Sequence, residues 1–360
     1  MMEGNREDNR RKRSTTPGLL VISLDFELYW GVRNLPAVGK YFRNLVGARK
    51  VVPRLLDLFK EYGIHATWAT VGFLFFDRTR SILRFAPTMR PKYKRRNLSP
   101  YNDLPPEEAR ENAKSIFFAP SLIRLICATA HQEIATHSFS HYYCLEEGQT
   151  IETFRQDLLA ARAAARMFGL ETSSLVFPKN QCRNDFLSVC SEAGIIAYRG
   201  NPSSWLYRAV ADGEQGYIRR LGRLLDAYVS LSSQNCHPLP VWTGDVPLNI
   251  PSSRYLRPYS SRLRMFEPLR LRRIRRGLTT AAQTGQLYHL WWHPHDFGLN
   301  MASNFAILRR ILDHYRSLRE LYGMESLNMR EAADRCLQMR VFADVASEEP
   351  ARRAQNQEHV

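Results

Sequence analysis

The segment Ser23-Leu24-Asp25-Phe26-Glu27-Leu28-Tyr29-Trp30-Gly31 sets two carboxylates, Asp25 and Glu27, at the end of an apolar run, Leu19 to Leu24. A short apolar run of this kind reads as a buried strand. The two-residue period of a strand puts Asp25 and Glu27 on one side and Phe26 on the other. Two acids on one face cost free energy unless a cation or a proton lies between them. That cost makes the pair a candidate for chemistry. Carboxylates at strand ends also cap helices or pair with arginine, and this chain is rich in arginine.

Histidines supply what the acids lack. His137-Ser-Phe-Ser-His141 follows a short strand, Glu133–Thr136. Histidines at i and i+4 share a helix face and can both reach one divalent ion. A carboxylate with two histidines is a facial ligand set that leaves room for water and substrate. His289-Leu-Trp-Trp-His293-Pro-His295-Asp296-Phe-Gly298 closes a late strand, and alternation places His289, Trp291 and His293 on one side. His289 also reads as a satisfied core histidine, and Asp296 as a turn former before Gly298. Phe177-Pro178-Lys179-Asn180-Gln181 ends a further strand with a row of polar groups.

The elements that must hold these groups alternate along the chain. Strand-like stretches are Leu19–Leu24, Ile64–Trp68, Glu133–Thr136, Ser174–Phe177, Ile195–Tyr198, Leu287–Trp292 and Met324–Asn328. Helix-like stretches between them include Val51–Tyr62, Ser121–Ala130, Ile151–Phe168, Asp185–Ala193, Leu269–Thr284, Asn304–Glu320 and Arg330–Met339, with Gly63 and Gly169 as stops. The alternation predicts an α/β protein with a mostly parallel sheet, and the strand count suits a (β/α) barrel. Barrel active sites lie at the C-terminal strand ends, where all four motifs fall. Two stretches break the rhythm: Arg78–Asn102, which reads as an inserted basic loop, and Arg254–Arg276, with nine arginines in 23 residues. The second also reads as a solvated helix face.

A chain of 360 residues that is 44% hydrophobic buries a large core and is globular. Its net charge of +16 favours an anionic partner or substrate. The six cysteines form no CxxC pair, which favours reduced thiols. Residues 1–17 read as a disordered basic leader with no apolar core of a secretory signal, 18–340 as the barrel and 341–360 as a mobile tail. The expected location is cytoplasmic, peripheral to the inner membrane.

In order and spacing, Ser-Leu-Asp25-Phe-Glu27, His137-Ser-Phe-Ser-His141, Phe-Pro178-Lys-Asn-Gln and His293-Pro resemble the motifs of the polysaccharide deacetylase (NodB-homology) superfamily, carbohydrate esterase family 4. The resemblance runs from Leu19 to Gln338. It implies a distorted (β/α) barrel of about seven strands with Asp25 as catalytic base and His293 as general acid. It implies Glu27, His137 and His141 as ligands of a divalent metal, Zn²⁺ on the strength of the histidines. Trp30, Lys179, Asn180, Gln181 and His295 are the substrate-binding candidates. Two departures stand out. Glu27 replaces the family's metal-binding aspartate one residue further on, and the family's motif arginine is missing beside Pro178; Lys179 or Arg183 is the expected replacement.

The expected activity is removal of an N-acyl group, acetyl or formyl, from an amino sugar of cell-surface polysaccharide biosynthesis. The charge suggests a nucleotide- or isoprenoid-phosphate carrier gripped by Arg78–Asn102 and Arg254–Arg276. Peripheral membrane contact is compatible with that charge. A nucleic-acid partner is not expected, because it would leave the acid and histidine motifs without a use. An inactive barrel that serves as a scaffold is the alternative.

Overall fold

The structure is a computed structural model that describes residues 16–339, apart from 36–37, 212–213, 215 and 242–243. The expected leader up to residue 15 and the tail from 340 lie outside the described residues.

Nine strands form one sheet: β1 (Leu19–Phe26), β2 (Ala66–Thr70), β3 (Gln132–Thr136), β4 (Ser174–Val176), β5 (Ala197–Arg199), β6 (Leu248–Asn249), β7 (Arg254–Tyr255), β8 (Leu287–Trp292) and β9 (Glu325–Leu327). Their order is β6-β5-β4-β3-β2-β1-β8-β7, with β9 paired to β1, and every pairing between named strands is parallel. The edge strands β6 and β7 follow one another in the chain. Residues 250–253 cross between them: the Ile250 amide donates to Tyr198 O on the β5 side, and Ser253 N donates to His289 O on the β8 side. One short segment therefore bridges the gap of a distorted barrel surrounded by helices. Neither two-residue strand is visible in the sequence pattern.

Every residue of β1 is buried, as a strand paired on both edges requires. Its even residues, Leu20 to Phe26, join the outer core against the helices, including Val38–Tyr62 and Met301–Tyr322. Its odd residues face the barrel interior in layers. Val21 packs with Ala69, Ala135, Val176 and Leu287 at the closed end. Above it Ser23 accepts a hydrogen bond from Arg199, and Asp25 lies higher still, towards the C-terminal rim.

Several local expectations shift. The helix ending at Tyr62 begins at Val38 rather than Val51. The strand expected at 64–68 is Ala66–Thr70. Arg78–Asn102 is not an aperiodic loop: it holds a helix, Thr79–Phe85, and a 3-10 turn, Arg96–Leu98. It is pinned by Lys92 N and Lys94 N, which donate to Gly148 O and Glu147 O. In Arg254–Arg276, buried Arg254 and Arg273 pair with buried Asp226, and Arg270 pairs with Glu267. Those three guanidiniums are structural, which a count of arginines could not distinguish from a phosphate grip.

Candidate active site

Asp25 and Glu27 reach the barrel mouth from β1 and the residue after it. Leu28 takes a positive φ of 46°, and the chain then turns into the short helix Tyr29–Val32. Gly31 in that helix has a steric reason to be glycine, because a Cβ there would fall on the Glu27 carboxylate. The motif glycine thus leaves a cradle for Glu27.

His137 and His141 do not share a helix face. They sit on an irregular loop after β3 in which Ser138 (φ 59°) and His141 (φ 56°) are left-handed. Such conformations are costly for non-glycine residues and persist only where neighbours over-determine them. Here the neighbours are numerous. His137 N donates to Thr70 O, and the Ser138 and Phe139 carbonyls accept from Gly72 N and Phe73 N. Buried Asp157, on helix Ile151–Arg166, accepts from the Phe139 amide at 2.7 Å and from the Ser140 hydroxyl. Burial pushes the Asp157 carboxyl up to about 6 against those hydrogen bonds.

The result is convergence on one atom. His137 Nε2 and His141 Nε2 lie 3.2 and 2.9 Å from Glu27 Oε2. His137 donates its Nδ1–H to the Val176 carbonyl at 2.8 Å, which fixes Nε2 as the bare, lone-pair nitrogen in the neutral ring. A bare nitrogen facing a carboxylate oxygen needs a cation or a proton between them. Burial lowers the His141 pKa to about 4, so that ring is neutral near pH 7. The three residues offer ligand atoms that all lie within 4.8 Å of one another. The donor set and its cradle fit a divalent ion.

Asp25 is held by an arginine that sequence reasoning missed. Arg199, the last residue of β5, makes a bidentate pair with it: Nη1 to Oδ1 at 2.6 Å and Nη2 to Oδ2 at 2.8 Å. Both side chains are buried, and the guanidinium also donates to Ser23 Oγ and Asn180 Oδ1 and lies over the Trp291 ring. The expected replacements are placed elsewhere. Lys179 lies over the Tyr143 ring, and Arg183 pairs with Asp185 at the surface. The available signal was an arginine directly after an apolar strand.

His293 leaves the end of β8 with Nε2 3.4 Å from Glu27 Oε1 and 3.9 Å from Asp25 Oδ2. Its Nδ1 bonds Asp296 at 2.8 Å, and the Tyr255 hydroxyl donates to the same carboxylate oxygen at 2.5 Å. Burial alone would lower the His293 pKa, but Glu27, Asp296 and Asp25 outweigh it and raise it to about 10. Burial would likewise raise that of Glu27, but His293, His137 and His141 hold it well below the usual range. Asp296 is therefore more than a turn former. His289 bonds Ser23 and the Ile250 carbonyl inside the barrel, as a core histidine does.

Three substrate-binding expectations meet a packing reason instead. Trp30 is fully buried against Phe73 and Phe117, with its indole N–H on the Phe117 carbonyl. Gln181 is buried and bonds Leu145 N and Glu146, bracing the loop after His141. His295 is buried against His293, its ring centroid 5.1 Å away. Lys179 and Asn180 instead line a cleft of about 260 Å³ beside the site, together with Arg208, Arg223, Arg257 and Trp291.

Residues 45–198 match a sequence model of the family described as Polysaccharide deacetylase. Among solved structures, one of a Mycobacterium smegmatis protein titled as a polysaccharide deacetylase aligns with a TM-score of 0.57 at 16% identity, covering 91% of this chain and 92% of its own. The Puue allantoinase aligns with a TM-score of 0.53 at 14% identity, covering 88% and 89%. A Pseudomonas aeruginosa protein titled as a polysaccharide deacetylase gives 0.51 at 12%, again covering 88% and 89%. At these identities the likeness is one of fold. A search of curated proteins returned no match. Over residues 45–198 the chain is similar in sequence to the polysaccharide deacetylase family.

Proposed function

We propose that the protein is a metal-dependent hydrolase that removes an N-acetyl or N-formyl group from an amino sugar in cell-surface polysaccharide biosynthesis. The observation that carries this reading is the meeting of three groups at one barrel mouth: the Glu27–His137–His141 cluster, the Asp25–Arg199 pair and the His293–Asp296 pair.

Glu27, His137 and His141 would hold the ion, Zn²⁺ on donor type. When bound, such an ion supplies Lewis acidity towards an acyl oxygen and a water. Asp25, aimed by the Arg199 fork, accepts a proton from the attacking water as its oxygen bonds to the acyl carbon. His293, oriented by Asp296 and with its pKa raised by Glu27, Asp296 and Asp25, delivers a proton to the leaving nitrogen as the C–N bond breaks. The products are the free amine and the carboxylic acid.

A phosphate-bearing precursor suits the adjoining cleft, which Lys179, Arg208, Arg223 and Arg257 line beside the structural Arg254. Burial first, and then the neighbouring charges of Arg219 and Arg257, lower the pKa of Arg223. A nucleotide diphosphate and an isoprenoid diphosphate both present this chemistry. A cytoplasmic site at the inner membrane face would meet either.

The test pairs metal analysis with Asp25→Asn. The variant is expected to retain stoichiometric metal and to lose deacylation by more than about a thousandfold, the scale of a lost general base. Loss of metal instead would make Asp25 a ligand. Wild-type protein without metal or turnover would favour the inactive scaffold.

A further inference from the structure

Helix Tyr217–Asp226 is amphipathic and faces the wrong way for a globular protein. With a 3.6-residue period, Tyr217, Ile218, Leu221 and Leu225 form one stripe, and Arg219, Arg223 and Asp226 form the opposite one. The apolar stripe is the outer one: Tyr217 is 88% exposed, Ile218 80% and Leu221 56%. The polar stripe turns inward. Asp226 is fully buried and accepts hydrogen bonds from Arg254, Arg273, Tyr207 and Ser232. Arg219 donates to the carbonyls of Trp205 and Arg208. This inward network fixes the helix orientation, so the exposed stripe cannot be recovered by rotating the helix.

The apolar surface continues beyond the helix. Val229 follows Leu225 by one turn at 55% exposure, and Phe266, in ring contact with Tyr228, brings exposed Met265 alongside. Arg220, Arg262 and Arg264 are exposed on the same elements. Clustered apolar exposure on this scale marks an interaction surface.

We propose that this face docks on an anionic membrane surface, with the helix lying in the interface plane. Apolar side chains beside arginines are the composition of an interfacial helix, and acidic headgroups complement the charge. A second copy of this chain would bring another +16 charge against the same face, which disfavours self-association. Spanning is excluded for this element: no helix among the described residues is long and apolar enough to cross a membrane. On its inward side the helix borders the cationic cleft, which Arg223 and Ala227, on and just after it, help to line. The proposal does not depend on hydrolysis, since binding is measured without substrate.

The test uses the full chain and vesicles of phosphatidylglycerol mixed with phosphatidylcholine, against phosphatidylcholine alone. Co-sedimentation with the anionic vesicles is expected, weakening with added salt. Ile218→Glu with Leu221→Glu should reduce the bound fraction tenfold or more. Both positions are exposed, so an unchanged melting temperature reports an intact fold. Arg220→Glu should weaken binding to anionic vesicles selectively. Absence of vesicle binding, or binding that the double variant leaves intact, overturns the proposal. So does a wild-type dimer that the double variant converts to monomer, which would assign the face to a second copy.

Discussion

The Asp25–Arg199 pair shows how much rests on single residues here. A buried ion pair contributes little by itself, but removing one partner strands the other and costs about 3–5 kcal/mol. The fork matters more than the charge, because its two parallel hydrogen bonds fix the carboxylate plane. Lysine carries the charge without the fork. Arg199→Lys is therefore expected to lower kcat by roughly 10–100-fold while bound metal stays at the wild-type level. Steady-state kinetics beside elemental analysis decide it, and an unchanged kcat would remove Arg199 from the positioning of Asp25. Gly31 gives a second test. Alanine is the better helix former by about 1 kcal/mol, yet at this position its Cβ would displace the Glu27 carboxylate. Gly31→Ala should lose metal affinity without losing the fold, read by metal titration and circular dichroism.

At the scale of elements, the loop between β3 and helix Ile151–Arg166 does what a helix was expected to do. Two left-handed residues bring both histidines onto Glu27, and Asp157 holds the loop in that shape. Asp157→Ala would leave the buried amide of Phe139 and the hydroxyl of Ser140 without this partner. The expected cost is about 2–4 kcal/mol in unfolding free energy. Metal affinity should fall with it, because the strained backbone would relax. Urea denaturation and metal titration of one preparation check both, and a variant that lost stability but kept metal affinity would show that the loop holds without Asp157.

At the scale of the whole molecule, the Glu27–His137–His141 cluster joins the loop after β3 to the segment after β1, and His293 adds the end of β8. A ligand that binds the folded state alone stabilises it by roughly 4 kcal/mol at a thousand times its Kd. Chelation should therefore lower the melting temperature by several degrees, and metal should restore it. His137→Ala should melt at the same temperature with and without chelator. If chelation left the wild-type melting temperature unchanged, the cluster would not be a metal centre. Helix Tyr217–Asp226, with its apolar stripe outward, belongs to this scale as well, since its orientation is set by partners from distant segments, Tyr207, Arg254 and Arg273.

The sequence by itself determined the repeating order of strand and helix, the central buried strand and the strand-end position of Asp25, Glu27, His137, His141 and His293. These are local properties, carried by apolar runs, two-residue alternation and glycine stops. Tertiary structure decided what required residues far apart in the chain to meet. It chose Arg199 over Lys179 and Arg183 as the partner of Asp25, because β5 and β1, separated in the sheet by β4, β3 and β2, meet only across the barrel interior. It buried Trp30, Gln181 and His295, whose polarity or aromatic character alone left them equally suited to a substrate or a core. It replaced the helical His137–His141 face with a strained loop, since i,i+4 spacing describes distance along the chain and not backbone conformation. It also turned an amphipathic helix inside out: hydrophobic periodicity specifies that two faces exist, and only the buried partners of Asp226 specify which one meets water.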